Sequence, residues 1–544
     1  MATLLATIGP PSLAPHTASH PLYDPSDPSA MHVDDAKCAF SAACPNVLMV
    51  LSDDHGHTDL GVMGIDATVD TPVLDRLASK GARFEFGYAT APQCTPSRAG
   101  LLSGRNQNTF GLYDNDADVG YGVGVLPPRP KVVTISERVR EFGYVTGMSG
   151  KWHLGAESDA TQNPGGRGFD EYLVGMIGRW HTNLDPTGRS STAVTLVQNR
   201  SNRIDVSADF AELFLTRHRT KRFFYYWAPF GPHEPMLEDG DPYLEAFPMP
   251  RNKYYTDEEN DRRRRGLALI KAIDTRLGGI LDVLRRHALE ESTLILFASD
   301  NGAPMSLGYD KARDHFSRVP MEQSSYAGSD NVPLRGAKGF LWEGGIRVPM
   351  LAYWKDTIPS GQVIAQPVTT LDFTATIADA VGLKASRSEG FDGQSLLPGL
   401  VSAAAPTLVA RPGGGPDGVL KHFWASKTGD SAVRSGDWKL RRCRSPTKEL
   451  VYLFNITEDP LELRNLVEEN KQVHALLTSR LDKWEAGLPF TVACRADGKE
   501  TGEVFIWPDA LQCTARHVDP RMLVGSDWNG PASRGATCFP APLE

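Results

Sequence analysis

The chain has 544 residues, of which 41% are hydrophobic and 23% charged, and its formal net charge is −9. This is ordinary globular usage and excludes a disordered chain. No apolar run approaches the roughly 18 residues of a membrane-spanning helix, and the acidic balance argues against general nucleic-acid binding, although a local basic pocket can still take a small anion.

In chain order, residues 1–45 lack a basic n-region and a long apolar core and are rich in Pro, Ser, His and Ala, so they read as a flexible leader. From Asn46 the pattern becomes α/β. Asn46–Leu51 is a continuous apolar run, as a strand buried on both faces requires. Thr71–Lys80 reads as a helix with Val73, Leu74 and Leu77 on one side. Phe223–Ala228 and Thr293–Ser299 repeat the buried-strand signature. Between them a helix starts at Thr256, which forms a capping box with Glu259, and continues with an apolar stripe through Ile270, Ile273, Leu277 and Leu284. The run Arg262–Arg265 on this helix reads as a solvated face. Pro349–Trp354 is a further buried strand, and the Ala/Pro/Gly-rich stretch 403–418 reads as a linker. Short strands at Lys421–Ser426, Trp438–Arg442 and Leu450–Phe454, then a helix from Lys471 to Trp484, make a small α+β unit. The tail from 490 onward is loop-like and holds three cysteines. The domain reading is a leader over 1–45, a main α/β domain over 46–402, an α+β subdomain over 419–490 and a cysteine-containing tail over 491–544.

Of seven cysteines, six lie outside the central region and Cys94 stands alone. That arithmetic fits three disulfides and one cysteine kept for chemistry, and equally seven inert thiols. The sequons Asn199-Arg200-Ser201 and Asn455-Ile456-Thr457 lean towards a secretory route, whereas the leader carries no recognisable export signal.

Chemistry concentrates where strands end. Asp53-Asp54 follows the first strand, and Asp300-Asn301 follows Thr293–Ser299. Ligands of open α/β sheets bind outside the carboxyl ends of strands, and adjacent carboxylates there repel unless a cation lies between them. All-oxygen donors suit Ca²⁺ or Mg²⁺ rather than zinc. In the segment from Cys94 to Arg105, Pro96 suits a first helical turn and Gly104 its exit, which sets Cys94 at a helix amino terminus with Arg98 one turn on. Simple electrostatics reads this as an activated thiolate beside an arginine.

This segment, Cys94-Thr95-Pro96-Ser97-Arg98 followed by small residues and Gly104-Arg105, closely resembles the signature of the type I sulfatases. Further motifs of that family occur in the expected order. They are Asp53-Asp54-His55-Gly56, Gly150-Lys151-Trp152-His153, Pro232-His233, Ser299-Asp300-Asn301-Gly302, and Leu334-Arg335-Gly336-Ala337-Lys338-Gly339 leading into Glu343-Gly344-Gly345. The resemblance runs from about 46 to 490 and implies an alkaline phosphatase-like fold, a large mixed central sheet sandwiched by helices, with a smaller C-terminal α+β domain. It implies that a separate formylglycine-generating enzyme oxidises Cys94 to Cα-formylglycine. The aldehyde hydrate would attack sulfur through one hydroxyl, and the second would release sulfate. The resemblance assigns Asp53, Asp54, Cys94, Asp300 and Asn301 to a divalent cation, Ca²⁺ or Mg²⁺. Asp300 would accept the nucleophile's proton, and Lys151, His233 and Lys338 would bind the sulfate. His233 or Lys338 would protonate the leaving group, His153 would take the second hydroxyl's proton, and Arg98 would hold the diol and carboxylates in place. The implied substrate is an aryl or carbohydrate sulfate, and the implied compartment is secretory, lysosomal, extracellular or periplasmic.

Gln93 departs from the apolar residue frequent before the family's cysteine. His55 and His57 read as either supports of the site or loop packing. Arg179-Trp180-His181 reads as a substrate mouth or a surface turn, and the polar stretch Asp310–Ser329, with His315, as a specificity insert. Two rival functions share these residues: a phosphonate or phosphodiester hydrolase of the same superfamily, and an inactive binder of sulfated glycans.

Overall fold

Alternation inside the apolar strands builds the molecule. Along Asn46–Ser52, Val47, Met49 and Leu51 pack into one core, while Leu48 and Val50 pack into another. Phe224 and Tyr226 against Phe223, Tyr225 and Trp227 divide the same way, as do Leu294 and Leu296 against Ile295 and Phe297. Side chains in a strand point to opposite faces with period two, so a strand apolar at every position needs cover on both. The computed structural model describes residues 44–176, 179–185, 189–198, 202–248, 257–310, 315–320, 328–402, 421–425, 429–444 and 449–489.

Ten strands form the central sheet, in the order Gln362–Ile364, Ala82–Phe84, Met350–Tyr353, Thr293–Ser299, Asn46–Ser52, Phe223–Ala228, Val145–Gly150, Glu171–Met176, Arg179–Leu184, Ser190–Gln198. The middle strands, from Thr293–Ser299 to Glu171–Met176, run parallel, and Met350–Tyr353 is antiparallel to both its neighbours. One face carries the helices Cys94–Ser103, Ile135–Glu141 and Thr370–Ala380; the other carries Pro72–Lys80, Arg203–Arg217 and Asp257–Arg286. A second sheet of four antiparallel strands, Lys421–Ala425, Asp430–Ser435, Trp438–Arg444 and Glu449–Asn455, has the helix Lys471–Glu485 on one face. The expected large mixed sheet between helices, with a small α+β unit behind it, is what folds.

The strands Val145–Gly150 and Asp430–Ser435 were not legible, because their sequences VTGMSG and DSAVRS carry neither an apolar run nor alternation. Arg179-Trp180-His181 opens a strand instead of a turn. At the start of the polar stretch, His315–Pro320 pairs back on Met305–Asp310 as an antiparallel hairpin, with Asp310 opposite His315. The Arg262–Arg265 reading needs correction. Arg263 is buried, bonded to Asp59 at 2.6 Å, Asp66 at 2.8 Å and the Gly328 carbonyl at 2.9 Å, while Arg264 and Arg265 bond backbone carbonyls of the adjoining loop. Cys44 and Cys443 are disulfide-bonded, and Cys94 is the free thiol among the described residues. The leader to residue 43, Thr256, the Asn199 sequon, the 403–418 linker, and Cys38, Cys494, Cys513 and Cys538 lie outside the described residues.

Candidate active site

Four parallel strands end side by side and deliver the site. Asp53 and Asp54 follow Asn46–Ser52, Lys151 follows Val145–Gly150, His233 follows Phe223–Ala228 beyond a short loop, and Asp300 with Asn301 follows Thr293–Ser299. Backbone bonds lock the loops together: the Asp300 N–H donates to the Ser52 carbonyl, and the His233 N–H to that of Asp53. Gly150 sits at φ 107 with the Ala228 carbonyl 1.9 Å from where a Cβ would lie, so only glycine lets Lys151 turn inward there. Cys94 opens the helix Cys94–Ser103, which ends at Gly104 in the left-handed region, φ 67, as its sequence predicts.

Around Cys94, itself 1% exposed, three carboxylates meet three cations. Lys151 Nζ donates to Asp53 Oδ1 and Oδ2 at 2.7 and 2.9 Å. Lys338 Nζ lies 2.8 and 2.9 Å from the two Asp54 oxygens. Arg98 donates through Nε and Nη2 to Asp300 Oδ2 at 2.9 and 2.7 Å, stands 3.4 Å from Asp53, and bonds the Lys151 carbonyl. The Cys94 Sγ is 3.7 Å from Asp53 Oδ1. His233 Nε2 is 3.7 Å from Asp54 Oδ2, and its Nδ1 donates to the Glu234 carbonyl at 2.9 Å. His153 stands at the solvent-exposed rim in a left-handed conformation, φ 55, and its carbonyl accepts from the Thr95 hydroxyl. All ten sequence-selected residues therefore come together.

The electrostatics follow from crowding. Burial alone would raise the Asp53 carboxyl, but Lys151, His233 and Arg98 outweigh it and hold it well below the usual carboxylate range. At Asp300 burial wins, assisted by Asp53 and opposed by Arg98, and its pKa rises to about 6. Desolvation on its pocket side, with Lys151 and Arg98 nearby, lowers His153 from the ordinary imidazole value even at the exposed rim, so its ring is neutral. Cys94 contradicts the thiolate reading. Burial, with Asp300 and Asp53 close, outweighs Lys151 and Lys338 and pushes the thiol up to about 12, so it is protonated at neutral pH.

Asp53, Asp54, Cys94 and His233 bring ligand atoms within 4.8 Å of one another, a grouping that could hold a metal ion. The donor chemistry fits a hard cation. Asn301 is buried; its Nδ2 donates to Asp54 Oδ1 at 2.7 Å and to the Gly302 carbonyl, while its Oδ1 is a buried acceptor with no partner. With three carboxylates balanced by Arg98, Lys151 and Lys338, a divalent cation would leave the pocket positive, as an anionic ester requires.

Other sequence candidates lie elsewhere. His55 is buried against Phe297 with Nε2 at the Asp59 carbonyl, 2.6 Å, and His57 is buried with its pKa well lowered by desolvation. Trp180 is fully buried, Arg179 is exposed, and His181 pairs with Glu157 at 3.1 Å. The described contacts join none of these three to Cys94. Sequence reasoning missed Tyr226. It is buried on a central strand, its phenol raised by burial and close enough to Arg98, Asp300 and Asp53 to feel all three charges. Its only signal was its place among the residues that face the Cys94 helix.

Residues 45–383 match the Sulfatase family profile, and residues 337–486 match the profile described as N-sulphoglucosamine sulphohydrolase, C-terminal. The chain is 30% identical over 380 residues to N-acetylgalactosamine-6-sulfatase of Canis lupus familiaris, an alignment covering 66% of each chain, just under two thirds of that relative's length. The solved structure of Ps i-CgsB in complex with k-i-k-neocarrahexaose superposes with a TM-score of 0.65 at 26% identity, over 84% of this chain and 96% of that one. The phosphonate monoester hydrolase of Agrobacterium radiobacter shares the fold, with a TM-score of 0.55 at 18% identity, over 81% of this chain and 95% of that one.

Proposed function

Because the chain belongs to the sulfatase family, we propose that it hydrolyses sulfate monoesters of carbohydrates, with residue 94 oxidised to formylglycine and a divalent cation bound beside it. The observation that carries this reading is the convergence on buried Cys94 of three carboxylates and three cations from separate segments. A relative named N-acetylgalactosamine-6-sulfatase and a structural neighbour solved with k-i-k-neocarrahexaose support a sulfated sugar as substrate.

Asp53, Asp54, Asp300, Asn301 and residue 94 would hold the cation, Ca²⁺ or Mg²⁺. The ion supplies positive charge that polarises sulfate oxygens and eases deprotonation of an attacking hydroxyl. The hydrated aldehyde supplies two hydroxyls, one to attack sulfur and one to let sulfate leave. The chain's own residues do the rest. Lys151, Lys338 and His233 bind sulfate oxygens and offset charge on the leaving oxygen. Asp300, its pKa raised to about 6, takes the attacking hydroxyl's proton. His233 or Lys338 returns a proton to the departing alcohol. His153, its ring neutral, would take the second hydroxyl's proton once the negative charge of bound sulfate offsets Lys151 and Arg98, which otherwise hold its basicity down. Arg98 fixes the Asp300 carboxylate through two bonds to one oxygen. Since Cys94 is 1% exposed in the fold, its oxidation by a formylglycine-generating enzyme must precede closure of the site. An oxidising compartment, secretory or periplasmic, is supported by the disulfides at Cys44 and Cys443; no described helix is long and apolar enough to cross a membrane.

Parallel assays on the sulfate and phosphonate monoesters of one phenol test the reaction class. Sulfate turnover should dominate and fall by about 10²-fold or more in excess chelator, recovering when Ca²⁺ or Mg²⁺ is returned. Preference for the phosphonate, or indifference to chelation, would overturn the reading.

A further inference from the structure

Lys338 reaches Asp54 from the tip of a folded-back segment, 334–346, whose neck is closed by the Gly344 N–H donating to the Arg335 carbonyl at 2.7 Å. The segment is tied to the site by the Lys338 N–H on the Ala303 carbonyl, the Gly302 N–H on that of Gly345, and the Gly339 N–H on that of Pro92. Behind the neck lies an ion cluster with no exposure to solvent. Lys439, on the middle of the C-terminal sheet, places Nζ 2.9 Å from Glu343 Oε1 and 2.9 Å from Glu462 Oε1, and all three side chains are 0% exposed. Glu343 also accepts from the Tyr88 hydroxyl at 2.9 Å, and its N–H donates to Glu462 Oε2 at 2.7 Å. Beside them Trp342 is held between two guanidiniums, Arg335 at 3.7 Å and Arg441 at 3.9 Å from the ring centroid.

We propose that Lys439 is a positioning residue for Lys338, acting through Glu343 and the neck of the 334–346 segment. Two carboxylates meet in a dry interface, one on the neck and one on the C-terminal unit, and Lys439 is the cation within salt-bridge distance of both. Arg347, 3.8 Å from Glu343 Oε2, would still face that carboxylate, but nothing else among the described ion pairs bridges the two. Without Lys439, Glu343 and Glu462 therefore repel across a dry interface, and removing one partner of a buried ion cluster is strongly unfavourable. The accessible relief is for Glu343 to withdraw, which opens the neck that holds Lys338 against Asp54. The proposal rests on the sulfatase reading of the site but concerns a residue outside its motifs.

The test is a double-mutant cycle of Lys439→Met with Lys338→Ala, read as kcat/KM on a sulfate ester, together with hydrogen–deuterium exchange of peptides spanning 334–346. Lys439→Met should lower kcat/KM by about tenfold alone and by less than about twofold in the Lys338→Ala background, because a residue that acts through another adds little once that other is gone. It should also speed exchange of the 334–346 peptides. Leu481→Ala serves as control: it trims the core on the opposite face of the same sheet and should leave those peptides and kcat/KM unchanged. Additive losses in the cycle, unchanged exchange in Lys439→Met, or an equal effect from Leu481→Ala would overturn the proposal. The exchange readout needs no turnover, so a wild-type chain inert to sulfate esters would sink the functional reading while leaving this one testable.

Discussion

Cys94 sits in opposing fields. Lys151 and Lys338 favour its anion, while burial and the Asp53 and Asp300 carboxylates disfavour it, and the second group wins. A protonated thiol is a weak nucleophile, so the unmodified side chain is poorly suited to attack sulfur in this site. At this scale Asp53, Asp54, Asp300, Asn301 and Cys94 were legible from position, since they follow apolar strands or open a helix, whereas Lys151, His153, His233 and Lys338 were found through the motif resemblance alone. The sign of the thiol's shift was not legible. The helix terminus and Arg98 are local to Cys94, whereas Asp53 and Asp300 reach it from distant segments that only the fold brings close. Asp54→Ala and Asp300→Ala test the metal and proton roles. Each should abolish measurable turnover while leaving the circular dichroism spectrum native, and full activity in either would remove that role.

Elements show the same limit. The helix Asp257–Arg286 was legible from its apolar stripe, yet its arginine run was misread, because burying Arg263 depends on Asp59 and Asp66, each about two hundred positions away. Asp59 also accepts from the Ser329 hydroxyl and the Asp330 N–H, and the next residue, Asn331, braces Ala303, so Arg263 anchors a strap beside the site. Arg263→Met should cost about 3–5 kcal/mol in denaturant unfolding, since it leaves the Asp59 carboxylate buried without its cation. A loss within about 0.5 kcal/mol, as at ordinary surface positions, would contradict this. Acid sharpens the test. Arg263 and Thr68 outweigh burial and hold half-buried Asp66 down at about 2, from an ordinary 3.8. A depressed carboxylate contributes stability that is complete above its unfolded pKa and is lost as pH falls through its folded one. The difference between the wild type and Asp66→Asn should therefore hold above about pH 4 and shrink as pH drops towards 2, and a difference constant across that window would refute the pairing.

In the whole molecule, the apolar runs and the later short strands pointed to a main α/β body and a small C-terminal α+β unit, but not to how firmly they join. The interface packs Tyr88, Trp342 and Ile346 against Trp424, Tyr452 and Phe454, and the Lys439 cluster closes it. Neither was readable, because a lone Lys in a short strand looks solvated until its two carboxylates are placed. Such an interface should make unfolding one cooperative event, with intrinsic fluorescence and far-UV circular dichroism tracing coincident thermal transitions; two separated transitions would mean that the sheets fold independently. What residue 94 has become in the working enzyme decides the chemistry of the site. The direct measurement is the mass of the tryptic peptide containing it, taken from protein that is turning over a sulfate ester. An aldehyde in place of the thiol makes that peptide lighter by about 18 Da, the chemistry a hydrate nucleophile needs. Active protein whose peptide keeps the mass of an unmodified cysteine would contradict the account at its centre.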